Sequence, residues 1–333
     1  MKSISLKCVL IACVVMLFSC AKEKKYFEVT GLAQGTYYRV VYEGNENLKP
    51  VFDSLLAEFD TVFSVYYDQS MISRINANDS SVRINDEFRY FFQKSQYISK
   101  ITDGAFDITV APLVNAWHFG PDTTKHSIPT QVQIDSIRQF VGMNKISLRG
   151  NRMVKTDPRV TIIGNAIAQG YSSDIIAHYL DSLQVKNYLV DVGSEMRSKG
   201  KNSEGNVWTI GITRPEENID SIPLEDRYDI AIELDNKSLA TSGNYRKFFY
   251  EGKHKYAHTI NPKTGHSEPS NLLSATVLAS ECIEADAIAT ACMVVGLEKS
   301  KEFFAKHPEY DALLLYAQGD TIAKYKTSGI ILK

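Results

Sequence analysis

Residues 272–295 read LLSATVLASECIEADAIATACMVV. Leu272–Ala279 is a short apolar run, which predicts a buried strand. Ile283–Val295 is apolar around most of its circumference and long enough for a helix, so it predicts a buried helix. The stretch therefore predicts a strand and a helix in direct succession, and a fold that mixes both.

Asp286 and Thr290 lie within this predicted helix, four residues apart. At that spacing both side-chain oxygens project from one face. A carboxylate in such a helix is costly unless its charge is compensated, and Mg²⁺, which prefers oxygen ligands, would compensate it. The alternative is an ordinary surface Asp with the Thr hydroxyl bonded back to a carbonyl. Spacing alone leaves both interpretations open.

The rest of the chain also mixes the two kinds of element. Strands are predicted at Tyr37–Glu43, Tyr188–Val192, Val207–Thr213 and Ala312–Tyr316, helices over 51–62, 88–101 and 165–183, and a hairpin over 146–156. Because the elements do not alternate regularly, the predicted fold class is α+β, as a single mixed body. Neither G-x-G-x-x-G nor G-x-x-x-x-G-K-[ST] occurs, which disfavours a Rossmann or P-loop enzyme.

Composition excludes several classes of protein. The chain has 333 residues and a mass of 37.4 kDa, with 44% hydrophobic and 23% charged residues. This suits one large globular domain or two interlocked ones, and not a disordered, collagen-like or polytopic membrane chain. The 37 basic and 39 acidic residues give a formal charge of -2, without a basic run interleaved with aromatics. We therefore expect no nucleic-acid partner.

The N-terminus predicts export. Lys2 and Lys7 precede the apolar run Cys8–Phe18, which is too short to span a bilayer but suits a signal peptide. Leu17-Phe18-Ser19-Cys20 resembles a bacterial lipobox, which implies cleavage before Cys20 and lipidation of its thiol. The predicted organisation is a signal peptide at 1–19, the lipidated cysteine and a tether at 20–30, and one domain at 31–333. The alternative is a soluble secreted protein in which Cys20 is incidental.

Two cysteines, Cys282 and Cys292, remain in the predicted domain. They are too few for a disulfide framework, and no histidine lies near either at metal-ligand spacing. We expect both to be small buried hydrophobic side chains without a role in the mechanism.

Polar residues and glycines collect in four segments, at 103–120, 165–174, 241–265 and 284–291. Each is weak evidence by itself. The Pro-Lys-Thr-Gly stretch at 262–265 is most often only a turn. His258 taken alone would more often be a structural residue than a catalytic one.

In this order the segments resemble the ApbE-type flavin transferases, Mg²⁺-dependent FAD:protein FMN transferases that are commonly bacterial lipoproteins. The resemblance covers nearly everything after residue 30, and it implies an α+β body with a T-fold-like architecture. The matching stretches are Gln34-Gly35-Thr36, Ser64–Tyr66 with Ser70–Asn76, Gly104–Asp107, Ala166–Asp174, Thr241–Tyr245, His258–Gly265 and Ala285–Thr290.

The resemblance also implies site residues. The Mg²⁺ ligands would be Asp286, the Thr290 hydroxyl and the backbone carbonyl of Ala166, an oxygen-only set. Tyr66 and Phe106 would offer flat surfaces to a ring, and His258 would lie beside the pyrophosphate. The full set implied around FAD is Ser64, Val65, Tyr66, Ala105, Phe106, Asp107, Gln169 and Ile260.

The chain departs from the family pattern at three places. Gln34 stands where the family often has Met, and Gln169 where it often has Lys or Glu. Gly193-Ser194 stands where the family often has two glycines. None of these is an implied metal ligand, so the departures leave the metal set intact.

The implied reaction moves FMN from FAD to a Ser or Thr hydroxyl of a partner flavoprotein, such as a subunit of a redox membrane complex, and releases AMP. Mg²⁺ would stabilise the charge that builds on AMP. His258 is the predicted general base, because an ordinary imidazole pKa near 6.5 makes it available at neutral pH, with Asp107 and Glu195 as the next candidates.

Two alternatives use the same residues: a Mg²⁺-dependent FAD diphosphatase that releases FMN and AMP, and a non-catalytic flavin-binding lipoprotein. The pairing of Asp286 with Thr290 argues against the second. The predicted location is the bacterial cell envelope, with the protein anchored to a membrane by lipid and facing the periplasm.

Overall fold

The structure, a computed structural model, describes residues 25–120, 128–217, 219–223, 226–245 and 247–333. Its helices are α1 (Lys49–Phe63), α2 (Met71–Asn76), α3 (Asp86–Ile101), α4 (Ala111–Ala116), α5 (Gln131–Arg138), α6 (Ala168–Ser182), α7 (Cys282–Val295) and α8 (Leu297–Lys306). Its strands are β1 (Tyr26–Ala33), β2 (Thr36–Glu43), β3 (Ile146–Arg149), β4 (Arg152–Lys155), β5 (Tyr188–Val192), β6 (Glu195–Lys199), β7 (Trp208–Thr213), β8 (Tyr228–Leu234), β9 (Ser238–Gly243), β10 (Phe248–Glu251), β11 (His254–Ala257), β12 (Leu272–Ala279), β13 (Asp311–Gln318) and β14 (Thr321–Lys326).

Eight strands form one antiparallel sheet in the order β1-β2-β5-β6-β9-β12-β13-β14. Side chains alternate between its faces, so each face carries its own hydrophobic cluster. One face is covered by α1, α6 and α7, through residues such as Phe52, Ile176 and Ile288. The other is covered by the β7–β8 hairpin, through residues such as Trp208 and Ile232. We call these the helix face and the hairpin face.

The central elements agree with the sequence. The predicted strand is β12 with the predicted bounds, and the predicted helix is α7, which begins one residue earlier at Cys282. α7 is buried along most of its length because it packs against β9, β12, α6 and α3. The α+β class and the hairpin over 146–156, which is β3–β4, are confirmed.

Several boundaries and elements differ from prediction, and three of them bear on the site. β1 begins at Tyr26 and pairs with β2 along its whole length, so residues 26–30 belong to the sheet and not to the predicted tether. The helix predicted from 165 begins at Ala168, because Ile167 has a non-helical φ of -156°. β6 has no predicted counterpart, since its sequence EMRSK is mostly polar.

Cys282 and Cys292 are buried and form no disulfide, as expected. Within the ranges that the structure describes, no helix is long and apolar enough to cross a bilayer. The predicted signal peptide and Cys20 lie outside the described residues.

Candidate active site

The site is built on a close contact between α6 and α7. A Cβ atom placed on Gly170 would lie 2.4 Å from the carbonyl oxygen of Cys282 and 2.8 Å from Cβ of Asp286. Both distances are below any normal contact, so only glycine allows the two helices this near. The Gly170 N–H donates to Asp286 Oδ2 at 3.1 Å, which brings the second and fourth polar segments together.

Asp286 is a buried carboxylate, with 6% of its surface exposed. Burial raises the pKa of this carboxyl to about 7, and the Gly170 amide opposes that rise. Thr290 lies one turn further along α7, where its Oγ1 is 3.2 Å from Ser242 Oγ on β9. Asp286 is therefore not the ordinary surface residue that the sequence also allowed, and the Thr290 hydroxyl has a side-chain partner on the sheet.

The residues around Asp286 suit a hard cation. Among the residues that the structure describes, no basic side chain lies within ion-pair distance of this carboxylate. In a regular helix the Gly170 amide would donate to the carbonyl of Ala166, four residues earlier. In this structure that amide donates to Asp286 instead. One carboxylate, one hydroxyl and one carbonyl match the oxygen chemistry of Mg²⁺.

The described residues also contain no group of three or more His, Cys, Asp and Glu side chains that could hold a metal ion. A zinc or iron centre of the usual kind would need such a group. The donor set around Asp286 thus fits Mg²⁺ and does not fit a softer transition metal.

Asp174 on α6 was not predicted as a site residue, and it holds the start of α7. Its Oδ1 accepts from Arg197 Nη1 at 2.6 Å and from the Cys282 N–H at 3.0 Å, and its Oδ2 accepts from the Ile283 N–H at 2.8 Å. Burial raises the pKa of Asp174, against the opposing effects of Arg197 and the two amides. The available signal was its position four residues after Gly170, on the same face of α6.

His258 is held by the carbonyl of Lys247. Both its backbone N–H and its Nδ1 lie 3.1 Å from that oxygen. Because a carbonyl only accepts, Nδ1 carries the proton and Nε2 is the basic atom. Burial of the ring lowers the pKa of His258 to about 4, which corrects the ordinary value near 6.5 expected from sequence. The neighbouring Thr259 donates to Asn244 Oδ1 at 3.1 Å, which ties this loop to the end of β9.

Ser64, Val65 and Tyr66 follow directly after α1. The carbonyl of Ser64 accepts the Ser70 hydroxyl at 2.7 Å, which fixes the backbone here. Val65 is half-buried, whereas Tyr66 is 67% exposed, so its ring face is accessible. Asn165 Nδ2 lies 3.4 Å from the Tyr66 hydroxyl, which places this ring next to the start of the α6 segment.

The turn at 105–107 differs from expectation in two ways. Phe106 is 2% exposed and its ring belongs to the core, so it offers no flat surface to a ligand. Asp107 Oδ1 accepts from the amide and hydroxyl of Thr109, at 2.7 and 2.6 Å, and its Oδ2 accepts from the Met143 amide at 3.1 Å. With both oxygens used in the loop, Asp107 is suited to holding the turn and not to acting as a base. Ala105 precedes them and is also buried.

Gln169 and Ile260 lie in different environments. A Cβ on Gly193, which has a φ of +67°, would lie 2.6 Å from Gln169 Nε2 and 2.9 Å from Thr36 Cγ2. The β1–β2 and β5–β6 turns therefore both close on the start of α6. Ile260 is 4% exposed and packs with Leu113, so its side chain belongs to a small core cluster.

A cavity of about 600 Å³ lies between the end of α3, α8 and the loop at 261–270. Ala105 and Asn261 line it, but neither Asp286 nor Thr290 does. The Lys263 ammonium donates to Asp103 Oδ2 at 2.6 Å, an ion pair between two segments that line this cavity. The structure thus places Gly170, at the start of α6, against Asp286, one turn before Thr290 on α7, and Ala105 borders a separate cavity that neither Asp286 nor Thr290 lines.

Comparison with known proteins identifies the family. The family model described as "ApbE family" matches residues 34–314. The chain belongs to the ApbE family. It is 33% identical to the FAD:protein FMN transferase of Haemophilus influenzae over 321 residues, which cover 92% of this chain and 91% of the relative.

Solved structures of the ApbE family have the same fold. The flavin transferase ApbE of Vibrio cholerae superposes with a TM-score of 0.80 at 30% identity, covering 92% of this chain and 98% of that one. The apo form of the Pseudomonas stutzeri flavinyl transferase ApbE gives 0.82 at 27% identity, covering 93% and 97%. All implied flavin and metal residues lie inside the range matched by the family model, and Cys20 lies outside it.

Proposed function

We propose that this protein transfers FMN from FAD to the hydroxyl of a Ser or Thr side chain on a partner flavoprotein, that the reaction requires Mg²⁺, and that AMP is the leaving group. The single observation that carries the metal dependence is Asp286, a buried carboxylate beside a hydroxyl with no basic side chain in ion-pair distance among the described residues. Relatives with the name FAD:protein FMN transferase support the reaction itself.

Asp286, the Thr290 hydroxyl and the Ala166 carbonyl would hold the cation. When bound there, Mg²⁺ supplies positive charge to the pyrophosphate oxygens of FAD. Nε2 of His258 accepts the proton of the acceptor hydroxyl, and the Lys247 carbonyl keeps Nδ1 protonated so that Nε2 stays the basic atom. The acceptor oxygen forms the new bond to the FMN phosphorus, and the bond to AMP breaks with its electron pair on AMP.

The experiment incubates the protein with FAD, Mg²⁺ and a candidate acceptor, then measures flavin fluorescence on a denaturing gel and AMP in solution. Covalent fluorescence on the acceptor with an equal amount of AMP supports the proposal. AMP and FMN in solution without labelled acceptor would make the protein an FAD diphosphatase. FAD binding without AMP release would make it a flavin-binding protein.

His258→Ala tests the base. Loss of a general base costs roughly 10²- to 10⁴-fold in rate while FAD still binds. Because burial lowers the pKa of His258 to about 4, the wild-type rate should fall only as pH approaches 4, and not near 6.5. If the His258→Ala variant transfers FMN at the wild-type rate at saturating FAD, His258 is a binding residue and not the general base.

The proposed location is the cell envelope, with the lipid on Cys20 as anchor and the enzyme domain in the periplasm. The motif at 17–20 and the short apolar run before it support this. Cys20→Ala should move the protein from the membrane fraction to the soluble fraction. If the variant stays in the membrane fraction as the wild type does, the proposed lipid anchor on Cys20 is wrong.

A further inference from the structure

Glu195 is the first residue of β6 and lies on the helix face of the sheet. It pairs across the β5–β6 turn with Val192, whose side chain belongs to the cluster under α1 and α6. Directly paired residues share a face, so the Glu195 side chain also points to the helices. Glu195 is 6% exposed, and its backbone carbonyl accepts the Ser173 hydroxyl of α6 at 2.7 Å.

α7 crosses the same face along β9, and two contacts fix its position. Cys282 Sγ lies 3.6 Å from the Leu239 carbonyl, and Thr290 Oγ1 lies 3.2 Å from Ser242 Oγ. Asp286 is midway between Cys282 and Thr290 in the helix, so it lies over the part of β9 between these contacts.

Glu195 reaches the same place from the neighbouring strand. Met196 of β6 pairs with Leu239 of β9. Glu195 therefore lies opposite the next residue of β9, in the direction of Asp286. The thiol of Cys282 is near both carboxylates. Burial is the main reason that its pKa is raised, and the charges of Glu195 and Asp286 are among those that raise it further.

We propose that Glu195 is a second acidic residue of the cation site, facing the same cation as Asp286. This rests on the Mg²⁺ dependence in the proposed function. A cation under α7 would be attracted by both carboxylates, so the charge of Glu195 would add to that of Asp286. Mg²⁺ keeps several of its waters, and a carboxylate beside the direct ligands accepts hydrogen bonds from such water.

Asp191 provides a matched control. It is also a buried carboxylate, on β5, with 6% of its surface exposed. It pairs with Met196, on the opposite side of the sheet from Glu195, where Met196 packs with the β7–β8 cluster. A carboxylate on the hairpin face cannot reach a cation under α7, although it is only four residues away in sequence.

The test titrates Mn²⁺ into the FAD-free protein and follows free Mn²⁺ by EPR, with Mg²⁺ as competitor. Mn²⁺ shares the oxygen preference of Mg²⁺. Glu195→Gln keeps the shape and loses the charge, so we expect about 10-fold weaker binding. Asp286→Asn should weaken binding more, by about 100-fold, and Asp191→Asn should leave it unchanged.

Wild-type affinity in Glu195→Gln would overturn this inference and leave the proposed function intact, provided that Asp286→Asn still weakens binding. A wild-type protein that binds no Mn²⁺ or Mg²⁺ would overturn the metal dependence itself. If Glu195→Gln does not fold, Glu195→Asp keeps the charge with a shorter reach, and its binding should be weaker than that of wild type. Equal binding by a folded Glu195→Asp would count against the proposal.

Discussion

Two buried carboxylates on neighbouring helices have opposite surroundings. Asp174 on α6 accepts hydrogen bonds from the Arg197 guanidinium and from two amides at the start of α7. Asp286 on α7 accepts one, from the Gly170 amide, and has no basic side chain in ion-pair distance among the described residues. The protein itself compensates the charge of Asp174, which is typical of a structural residue. The charge of Asp286 has no such compensation, which is typical of a ligand-binding residue.

The largest effect is expected at Asp174, and it would be on stability. Asp174→Ala leaves the buried Arg197 charge uncompensated and two helix amides without an acceptor, which costs about 3–5 kcal/mol of the free energy of unfolding. Urea unfolding of cation-free protein measures it. The matched control is Asp286→Asn, which removes an uncompensated charge and should cost little.

The comparison of the two carboxylates predicts a further result. In the double variant Asp174→Ala with Arg197→Met, part of the lost stability should return, because the unpaired guanidinium is gone. If Asp286→Asn destabilised the cation-free protein as much as Asp174→Ala does, the difference between the two sites would not exist.

The next effect is on catalysis at the metal set. Asp286→Ala removes the charged member of the three implied ligands and should lower Mg²⁺-dependent FAD cleavage by about 10²- to 10³-fold. Thr290→Ala removes a neutral ligand, so we expect a loss of about 10-fold. Titration of Mg²⁺ against AMP release in both variants measures the order. A larger loss in Thr290→Ala would contradict the ligand assignment.

Asp191 is an intermediate case. Its carboxylate accepts a hydrogen bond from the backbone amide of Ser194 at 2.9 Å, and the charge of Arg39 is nearby. Burial raises its pKa from 3.8 to about 6, against the opposing effects of the Ser194 amide and Arg39. The pKa of Asp191 is higher in the folded protein than in the unfolded chain. The stability that its protonated carboxyl contributes is therefore complete below pH 3.8 and is lost as the pH rises through about 6.

At about 1.4 kcal/mol per pKa unit, the loss from Asp191 is at most about 3 kcal/mol. Asp191→Asn should therefore lose less stability than wild type between pH 4 and pH 7. Urea unfolding of both proteins at the two pH values measures the difference. An identical change in wild type and variant would show that this carboxyl does not titrate in that window.

Local pattern was enough for the central elements and for part of the site. The apolar run at 272–279 and the buried helix after it appear as β12 and α7, because periodicity and burial are properties of adjacent residues. The spacing of Asp286 and Thr290 on one helix face is also a local property. The seven stretches with family resemblance were sufficient to predict the ApbE family.

Only the tertiary structure decided which polar residues meet. Glu195 begins a strand too polar to be predicted, and it lies on the same side of the sheet as α7 only because β6 pairs with β9. Phe106 is in a motif stretch, yet its ring is in the core, and His258 has its pKa lowered to about 4 by surroundings that sequence does not describe. The physical reason is that burial and charge compensation arise from groups distant along the chain, such as Asp174 and Cys282, which only folding brings together.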